Sequence, residues 1–454
     1  MPGEVRDSVH GLIELEDREW RVVDTPAFQR LRRIQQLAMT HLVYPGARHS
    51  RFEHCMGACH VAGKLASTLA SKDQLAASTE RLRMAGLVHD IGHGPFSHVS
   101  EEVFEARTGR ENVHEAISAA IVTHDESVRS ALGDEEAQWT ADLLGATGWA
   151  KKRSAARDII AGPADVDKLD YLLRDSHHSG VEYGIYDIDK VIESARVLQS
   201  VGGFSSLAFD EGGVFAIEAM LLARYHMHRQ IYGHRTRVAT DRMLVRSMQL
   251  GIEESILPAE VFTPPQDMGP EFVREYLGWD DEAVIRRLSE HPETRSGQVM
   301  IALRNRILFK RVVRFSSQQL ESQFNQPAAG AVVEPTEGVL DSLLPELEAR
   351  IAEKAGVDPH WVSLYYEHLK NPISSRAGFR VFDTDVMIIM RDGRALPFKQ
   401  VSEVFSETEL LGRRFISVYV GGPQEMQFDE DAVDRIRKAT FDALELVAER
   451  SMTI

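Results

Sequence analysis

The sequence predicts a mainly α-helical protein with a smaller α+β module at its C-terminal end. Apolar residues recur at helical spacing from Phe28 to Ile252, and segments of strand character become common only beyond position 308. The length of 454 residues exceeds one typical core, so more than one domain is expected. We predict an N-terminal arm at 1–23, a helical domain at 24–307 and the α+β module at 308–454.

The helical domain is predicted to begin at Asp24-Thr25-Pro26, where a capping side chain precedes a proline in the first turn. Helical spacing extends this first helix to Leu37. The same spacing predicts helices at 52–72, 79–91, 114–124, 153–161, 165–177 and 187–199, and a long helix from Phe215 to Ile252 that breaks near Gly233.

Strand character appears first at Phe204–Phe209, which is followed by a turn rich in Asp and Gly. The C-terminal module is expected to contain strands at Arg311–Phe315, Phe379–Met390 and Phe415–Val420, and helices near 339–355 and 429–450. Prolines make 257–270 a predicted loop and 324–337 a predicted connector.

The formal net charge of −17 argues against broad nonspecific nucleic-acid binding, because such proteins usually carry a basic surface. A small anionic substrate stays compatible if cations gather locally. We expect no signal peptide, because Glu4, Arg6 and Asp7 stand where its apolar stretch would lie, and no apolar run in the sequence approaches membrane length. Cys55 and Cys59 are too few for a disulfide framework and are expected to be small buried residues. We expect a cytoplasmic protein with no membrane partner and no nucleic-acid partner.

Residue types that ligate metals occur at His54, at the adjacent pair His89-Asp90 and at Asp167. Imidazole nitrogens and carboxylate oxygens together suit Mn, Fe, Ni or Zn, and carboxylates also accept Mg. The pair follows the helical run Leu82–Val88, and at a helix end both side chains can turn towards one ion. Most isolated His-Asp pairs are surface residues or hydrogen-bonded core pairs, so the pair alone does not decide.

The segment that follows the pair favours a functional site: Ile91-Gly92-His93-Gly94-Pro95-Phe96-Ser97-His98. Glycine and histidine stabilise a fold little through burial, so this composition is unfavourable in a purely structural loop. It suits a place where backbone and imidazoles approach an anion closely.

Together with Arg51-Phe52-Glu53-His54 and Asp165-Val166-Asp167-Lys168-Leu169-Asp170-Tyr171, these motifs resemble those of the HD-domain dNTP triphosphohydrolases. The similarity is to the catalytic core of the SAM- and HD-domain members, and no SAM domain is expected before it. It extends from about His10 to about Gln249. The helical domain would then be an HD phosphohydrolase domain that converts a dNTP into a deoxynucleoside and inorganic triphosphate.

The resemblance implies one divalent transition metal per subunit (Mn, Fe, Ni or Zn), with Mg²⁺ accompanying the substrate phosphates. The matching metal ligands are His54, His89, Asp90 and Asp167. The matching catalytic residues are His98 as proton donor to the leaving 5′ oxygen, Glu101 as its orienting carboxylate, and His93 and His114 as contacts to the α-phosphate. The family usually has Asp where this chain has Glu101.

The resemblance also implies a nucleotide pocket. The cations for the β- and γ-phosphates are Arg51, Lys168 and Arg224, and Tyr171 lies one helical turn after Lys168. Asp175 matches the residue that binds the sugar 3′-hydroxyl, while Gln36 and Leu37 match residues that leave no room for a 2′-hydroxyl. Arg224, His228 and Tyr232 recur every four residues and are expected on one helical face. Without the resemblance, an amphipathic helix with polar positions would explain that spacing equally well.

A regulatory site for an activating guanine nucleotide is implied by Asp24, Gln29 and Arg32, because related enzymes use this segment at subunit contacts. The competing interpretation is a capped helix with an exposed arginine. The resemblance also favours a homo-oligomer, either a dimer or a tetramer.

Two alternatives stay open. An HD-type nuclease or phosphodiesterase acting on another nucleotide would use the same metal chemistry, although the acidic charge balance disfavours a nuclease. A non-catalytic nucleotide sensor belongs to a different class, and for a sensor we would expect at least one metal ligand or His98 to be lost. The residues therefore favour an enzyme.

Overall fold

The structure is a computed structural model that describes residues 3–72, 75, 77–145, 154–200, 204–324, 332, 339–366, 386–405 and 415–453. Helices dominate it, and three small sheets complete it, so the predicted mainly α fold class is confirmed. Within the described residues, no helix is both long enough and apolar enough to cross a bilayer.

The described α-helices, numbered in chain order, are α1 Asp17–Val23, α2 Pro26–Arg30, α3 Arg51–Ala70, α4 Thr79–Val88, α5 His98–Thr108, α6 Val113–His124, α7 Glu126–Leu132, α8 Asp134–Leu144, α9 Ala155–Ala161, α10 Val166–Ser179, α11 Ile188–Ser194, α12 Val214–Met227, α13 Arg235–Glu253, α14 Ala259–Phe262, α15 Pro270–Tyr276, α16 Asp281–Ser289, α17 Arg295–Arg304, α18 Ser317–Gln323, α19 Val339–Ala355, α20 Phe398–Val401 and α21 Glu430–Thr453. Short 3-10 turns occupy Leu31–Arg33, Thr40–Leu42, Glu211–Gly213 and Pro359–Trp361, and a π-helix occupies His228–Tyr232.

The strands are β1 Gly3–Asp7, β2 Gly11–Leu15, β3 Ala195–Ser200, β4 Phe204–Asp210, β5 Lys310–Ser316, β6 Val362–Tyr366, β7 Met387–Ile389, β8 Ala395–Pro397 and β9 Phe415–Val420. They form an antiparallel hairpin β1-β2, a sheet of order β3-β4-β7-β8 and a sheet of order β5-β9-β6. In the second sheet β4 and β7 run parallel, and the other neighbours run antiparallel.

The chain forms two compact units. The first contains 1–232, 259–284 and 380–409, and the second contains 233–258, 285–379 and 410–454. Stretches of the two units alternate along the chain, so the units do not coincide with the three predicted domains. The predicted domain boundaries after 23 and 307 stay a prediction.

In the first unit, α3 is the central helix and packs against α4 and α10. Gly57 allows the close approach of α10, since a Cβ at this position would lie only 1.9 Å from Oδ1 of Asp170. In the second unit, the β5-β9-β6 sheet forms a core with α19 and α21, in which Val418, Leu347 and Val447 are fully buried. Helices α13 and α17 pack against each other in the same unit.

Four sequence predictions need correction. The predicted loop 257–270 contains α14, whose Val261 and Phe262 are buried. Residues 17–23 of the predicted arm form α1, which a reciprocal capping box between Glu16 and Glu19 starts. The helix expected to reach Leu37 ends at Arg30, because the following backbone donors bond elsewhere: the N–H of Gln36, for example, donates to the carbonyl of His49 at 3.0 Å. The helix expected at 187–199 ends at Ser194, and β3 follows it because that segment pairs with β4.

Other elements follow the sequence closely. The long helix breaks where predicted, between α12 with its π-helical end and α13. Of the strand predicted at Phe379–Met390, only Met387–Ile389 is observed, and its first part lies outside the described residues. Most of the predicted connector 324–337 also lies outside them. Cys55 and Cys59 are free and buried, as predicted.

Candidate active site

The four predicted metal ligands lie in one cluster. The Nε2 atom of His54 is 3.0 Å from Oδ1 of Asp167, 3.4 Å from Oδ2 of Asp90 and 3.3 Å from Nε2 of His89. One ligand atom from each residue lies within 4.8 Å of the others. Two imidazoles and two carboxylates at this spacing could hold one divalent transition metal ion.

Three helices position this cluster. Helices α3 and α10 carry His54 and Asp167 in their first turns, and α4 ends at Val88, immediately before His89 and Asp90. Because the regular helix has ended, both adjacent side chains reach the same point, as the sequence predicted.

Each imidazole of the cluster is oriented through its other nitrogen. Nδ1 of His54 donates to Oδ2 of Asp170, and Nδ1 of His89 donates to the carbonyl oxygen of Gly86, both at 2.8 Å. Carbonyl and carboxylate oxygens only accept hydrogen bonds, so both rings carry a proton on Nδ1. Both therefore present Nε2 to the centre of the cluster, which is the arrangement that a metal needs.

The electrostatics of the cluster favour a cation. Burial would lower the pKa of His54, but hydrogen bonds to Asp167, Asp170 and Asp90 raise it well above its usual range. Burial would raise the pKa of Asp90, but Arg51 and the neighbouring imidazoles hold it well below its usual range. The carboxylates are thus ionised, and a bound metal would compete with protons for the imidazole nitrogens.

A further set of polar residues, which the sequence analysis did not single out, supports the cluster from behind. Asp170 is fully buried and accepts two hydrogen bonds from Arg174, at 2.8 and 2.9 Å. Its Oδ1 also lies 2.7 Å from Nε2 of His10, and Arg174 donates to Asp7 at 2.8 Å. The network connects the β1-β2 hairpin to the cluster. Its sequence signal was the position of Asp170 one turn after Asp167, on the same helical face.

We expect Asp170→Asn to weaken metal binding by about 10- to 100-fold, because partners that orient metal-ligating histidines typically contribute that much. Metal affinity is measured by competition with a chelator, alongside the melting temperature. Asp7→Asn is the matched control, since it also removes a carboxylate from Arg174 but does not touch His54. An equal loss of metal affinity in both variants would mean that general destabilisation, not orientation of His54, is the cause.

Three histidines of the predicted catalytic set lie together beside the cluster. The rings of His93 and His114 are stacked with centroids 4.2 Å apart, and the ring of His98 meets His93 edge-on at 5.3 Å. Nε2 of His93 lies 3.3 Å from Oδ1 of Asp90, so the two groups adjoin. His93 is buried, whereas the side chain of His98 is open to solvent. Burial of the site and the neighbouring Arg51 nevertheless hold the pKa of His98 well below its usual range, so the ring is neutral until an anionic ligand offsets that charge.

Glu101 contacts His114 rather than His98. Its Oε2 accepts from Nδ1 of His114 at 3.0 Å, and its oxygens also lie 3.3 and 3.4 Å from the backbone N of His114. Burial would lower the pKa of His114, but the Glu101 carboxylate raises it to about 9. The predicted orientation of His98 by Glu101 is therefore corrected: this side chain reaches across to the first turn of α6.

Close packing explains the glycines between His89-Asp90 and His98. A Cβ on Gly92 would lie 2.4 Å from the carbonyl oxygen of His114, and one on Gly94 would lie 3.0 Å from the hydroxyl of Tyr276. That hydroxyl donates to the carbonyl of Gly92 at 2.7 Å. From the sequence, these glycines were expected to let the backbone approach an anion, whereas here they allow contact with α6 and α15.

Arg51 connects the two groups of residues. It donates through Nη1 to Asp90 and through Nε to Oγ of Ser97 at 2.9 Å. Its Nη2 is buried and has no hydrogen-bond partner within the described part of the chain. Since buried donors normally have a partner, Nη2 is available to an anionic ligand.

Asp175, the predicted sugar-binding residue, is held by two donors. Nε2 of His49 donates to its Oδ1 at 2.7 Å, and the hydroxyl of Tyr232 donates to its Oδ2 at 2.6 Å. Tyr232 ends the π-helix, and its ring lies 4.8 Å from that of His228 and 6.4 Å from that of Tyr171. The predicted proximity of these side chains is thus present, and His49 joins them although the sequence analysis gave it no role.

The remaining predicted pocket residues differ in environment. Arg224 is fully buried, and its positive charge opposes the burial that raises the pKa of Tyr171. Nζ of Lys168 donates to Asp165 and to the carbonyl of Gly162. Gln36 and Leu37 are buried, and Oε1 of Gln36 has no hydrogen-bond partner among the residues that the structure describes.

The predicted regulatory residues adjoin one another. Nε of Arg32 donates to Oε1 of Gln29 at 2.9 Å, and the guanidinium of Arg32 lies 3.5 Å from the ring centroid of Phe52. Gln29 donates to the carbonyl of Val23 at 2.8 Å, while Asp24 and Arg32 are exposed. A role for them in nucleotide binding stays a prediction.

Comparison with known families gives these residues a context. A model of the HD domain matches residues 51–175, which include all four members of the metal cluster. The chain belongs to the HD-domain superfamily. A model of the HD associated region matches 187–391 in addition.

Individual relatives are similar to this chain over about two thirds of its length. An uncharacterized protein of Methanocaldococcus jannaschii is 31% identical over 320 residues, which is 69% of this chain and 60% of that protein. The deoxynucleoside triphosphate triphosphohydrolase SAMHD1 homolog of Dictyostelium discoideum is 30% identical over 319 residues, 67% of this chain and 59% of that protein. The chain thus spans about three-fifths of the length of these relatives. A crystal structure of a phosphohydrolase from Bacteroides thetaiotaomicron superimposes with a TM-score of 0.70 at 25% identity, and the match covers 93% of this chain and 100% of that one.

Proposed function

We propose that this protein is a metal-dependent phosphohydrolase that cleaves deoxynucleoside triphosphates into deoxynucleoside and inorganic triphosphate. The observation that carries the proposal is the metal cluster directly beside the His93, His98 and His114 group, with Arg51 between them. A relative named as a deoxynucleoside triphosphate triphosphohydrolase homolog supports the substrate class.

The donor set fits one divalent transition metal, held by His54, His89, Asp90 and Asp167. When bound, such an ion lowers the pKa of water and polarises a phosphoryl oxygen. Mg²⁺ would accompany the substrate phosphates.

The side chains supply the other functions. Nη2 of Arg51, which has no hydrogen-bond partner among the described residues, and the ring of His114 offer donors to the α-phosphate. His98 gives a proton to the leaving 5′ oxygen as the bond from that oxygen to the α-phosphorus breaks, so the deoxynucleoside leaves as a neutral alcohol. Water supplies the oxygen that completes the triphosphate, and Lys168 and Arg224 bind its outer phosphates.

We assign deoxyribose selectivity to Asp175, Gln36 and Leu37. Asp175 keeps lone pairs free for a 3′-hydroxyl, although it already accepts from His49 and Tyr232. Gln36 and Leu37 are buried side chains that would occupy the space of a 2′-hydroxyl.

Product analysis tests the proposal. The purified protein is incubated with Mn²⁺ and each of the four dNTPs, with GTP alongside and His89→Ala as the inactive variant. Release of deoxynucleoside and intact triphosphate is the expected result. If no dNTP is cleaved, with or without dGTP as activator, the proposal is wrong, and single-stranded nucleic acid and ppGpp become the next substrates. Nucleotide binding without any turnover would favour the sensor.

Activation by a guanine nucleotide is a separate prediction that rests on Asp24, Gln29 and Arg32. Titration with dGTP is expected to raise turnover and to increase the size of the particle in sedimentation. Both effects should weaken in Arg32→Ala, because the exposed guanidinium is the charged group of this set that can pair with a phosphate. A titration that changes neither turnover nor size would remove the regulatory site. The dimeric or tetrameric state and the cytoplasmic location stay predictions.

A further inference from the structure

The backbone immediately before His98 has an unusual conformation. Phe96 and Ser97 both have positive φ, at 60° and 56°, and Ser97 combines it with a ψ of −117°. Residues with a Cβ rarely adopt such angles, and they do so at functional sites only where surrounding contacts hold them. The position of His98 therefore depends on the groups that hold this pair.

Contacts from several elements hold the pair. The N–H of Phe96 donates to Oδ1 of Asp281 at 2.6 Å. The hydroxyl of Ser97 donates to the carbonyl of Gln35 at 2.7 Å and accepts from Nε of Arg51 at 2.9 Å. Among the residues that hold this pair, Asp281 lies in the range 187–391 that matches the HD associated region, and it is buried.

The second oxygen of the same carboxylate holds a different segment. Oδ2 of Asp281 accepts from the N–H of Gln35 at 2.9 Å. Gln35 immediately precedes Gln36 and Leu37, the pair that the proposed function assigns to the sugar. The carboxylate of Asp281 thus holds two backbone segments: the one that precedes His98 and the one that precedes Gln36 and Leu37.

Capping of α16 does not explain this side chain. The residue that caps this helix is Asp280, whose Oδ1 accepts from the N–H of Ala283 at 2.9 Å and whose Oδ2 accepts from Arg33 at 2.5 Å. Asp280 and Asp281 are both buried, so burial does not distinguish them. Their partners do, because only the partners of Asp281 adjoin the proposed catalytic and sugar-binding residues.

We propose that Asp281 is a positioning residue that sets both the placement of His98 and the closeness of Gln36 and Leu37 to the sugar. The kinetic consequences of this positioning role rest on the proposed function. Asp281 acts through the two backbone segments whose N–H groups its carboxylate accepts. Proton donation and discrimination against ribonucleotides are thereby coupled through a residue outside the HD motifs.

Asp281→Asn tests the proposal, with Asp280→Asn as the matched control from the same helix. Asparagine keeps one acceptor but turns an NH₂ group towards one of the two backbone donors. We expect kcat for dNTPs to fall about 10- to 100-fold, as small displacements of a reacting group can cause. We also expect the ratio of kcat/KM for dATP over ATP to fall. Asp280→Asn should lower the melting temperature but change neither kcat for dNTPs nor the dATP-to-ATP ratio of kcat/KM.

Hydrogen exchange provides a readout that does not need activity. In Asp281→Asn, the peptides that contain Gln35 and Phe96 should exchange faster than in the unmodified protein, and in Asp280→Asn they should not. If exchange is unchanged in Asp281→Asn, the positioning role is wrong whatever the substrate is. If exchange rises but kcat and the dATP-to-ATP ratio match those of Asp280→Asn, the proposal is also wrong. Failure of the unmodified protein to cleave any dNTP would instead contradict the proposed function.

Discussion

His89→Ala is expected to abolish dNTP hydrolysis and to leave the purified protein with little bound metal. The ring of His89 lies within reach of His54, Asp90 and Asp167, and its Nδ1 is already used by the Gly86 carbonyl. Removing it leaves His54 and Asp90, which are buried, and the partly exposed Asp167. A catalytic metal is worth several kcal/mol in the transition state, so the loss in turnover should be on the order of 1,000-fold or more.

The measurement combines metal analysis of the protein with turnover at saturating Mn²⁺. His124→Ala is the matched control, because this histidine ends α6 in an exposed position and is expected to change neither metal content nor rate. Full activity of His89→Ala at high Mn²⁺ would contradict the assignment of His89 as a ligand that catalysis requires.

His98→Ala is expected to lower turnover by about 100- to 10,000-fold, the usual contribution of a general acid. Metal content should stay at the level of the unmodified protein, because His98 contacts the ring of His93 and is not a member of the four-residue cluster. This combination of lost rate and retained metal separates His98 from His89.

A substrate with a better leaving group sharpens the test. p-Nitrophenyl triphosphate releases an anion that needs no proton, so the loss caused by His98→Ala should be much smaller on it than on a dNTP. An equal loss on both substrates would assign His98 to phosphate binding instead of proton donation.

The four residues of the candidate metal cluster could be singled out from the sequence because they lie in short motifs whose residue types suit a metal. The contacts behind the cluster were missed because they join positions far apart in the chain. His10 meets Asp170 across 160 positions, and Asp281 meets Phe96 across 185. Spacing along a helix or strand carries no information about such pairs.

Errors in the fold have the same origin. The helix expected to reach Leu37 has suitable apolar spacing, yet the N–H of Gln35 bonds to Asp281, which a local pattern cannot reveal. Residues 195–199 fit a helix by spacing but pair with β4 instead, and local propensity is a weak guide where tertiary pairing competes. Glu101 departs from the usual Asp, and only the structure identified His114 as its partner.

The hairpin at the start of the described chain has a practical consequence for anyone who prepares this protein. His10, in its turn, contacts Asp170, which accepts a hydrogen bond from the ring of His54. Asp7, at the end of its first strand, accepts from Arg174, which also donates to Asp170. A deletion or substitution within this hairpin would disturb residues that support the four-residue cluster. Preparations in which this hairpin is shortened or altered should therefore be compared by metal content before their rates are compared.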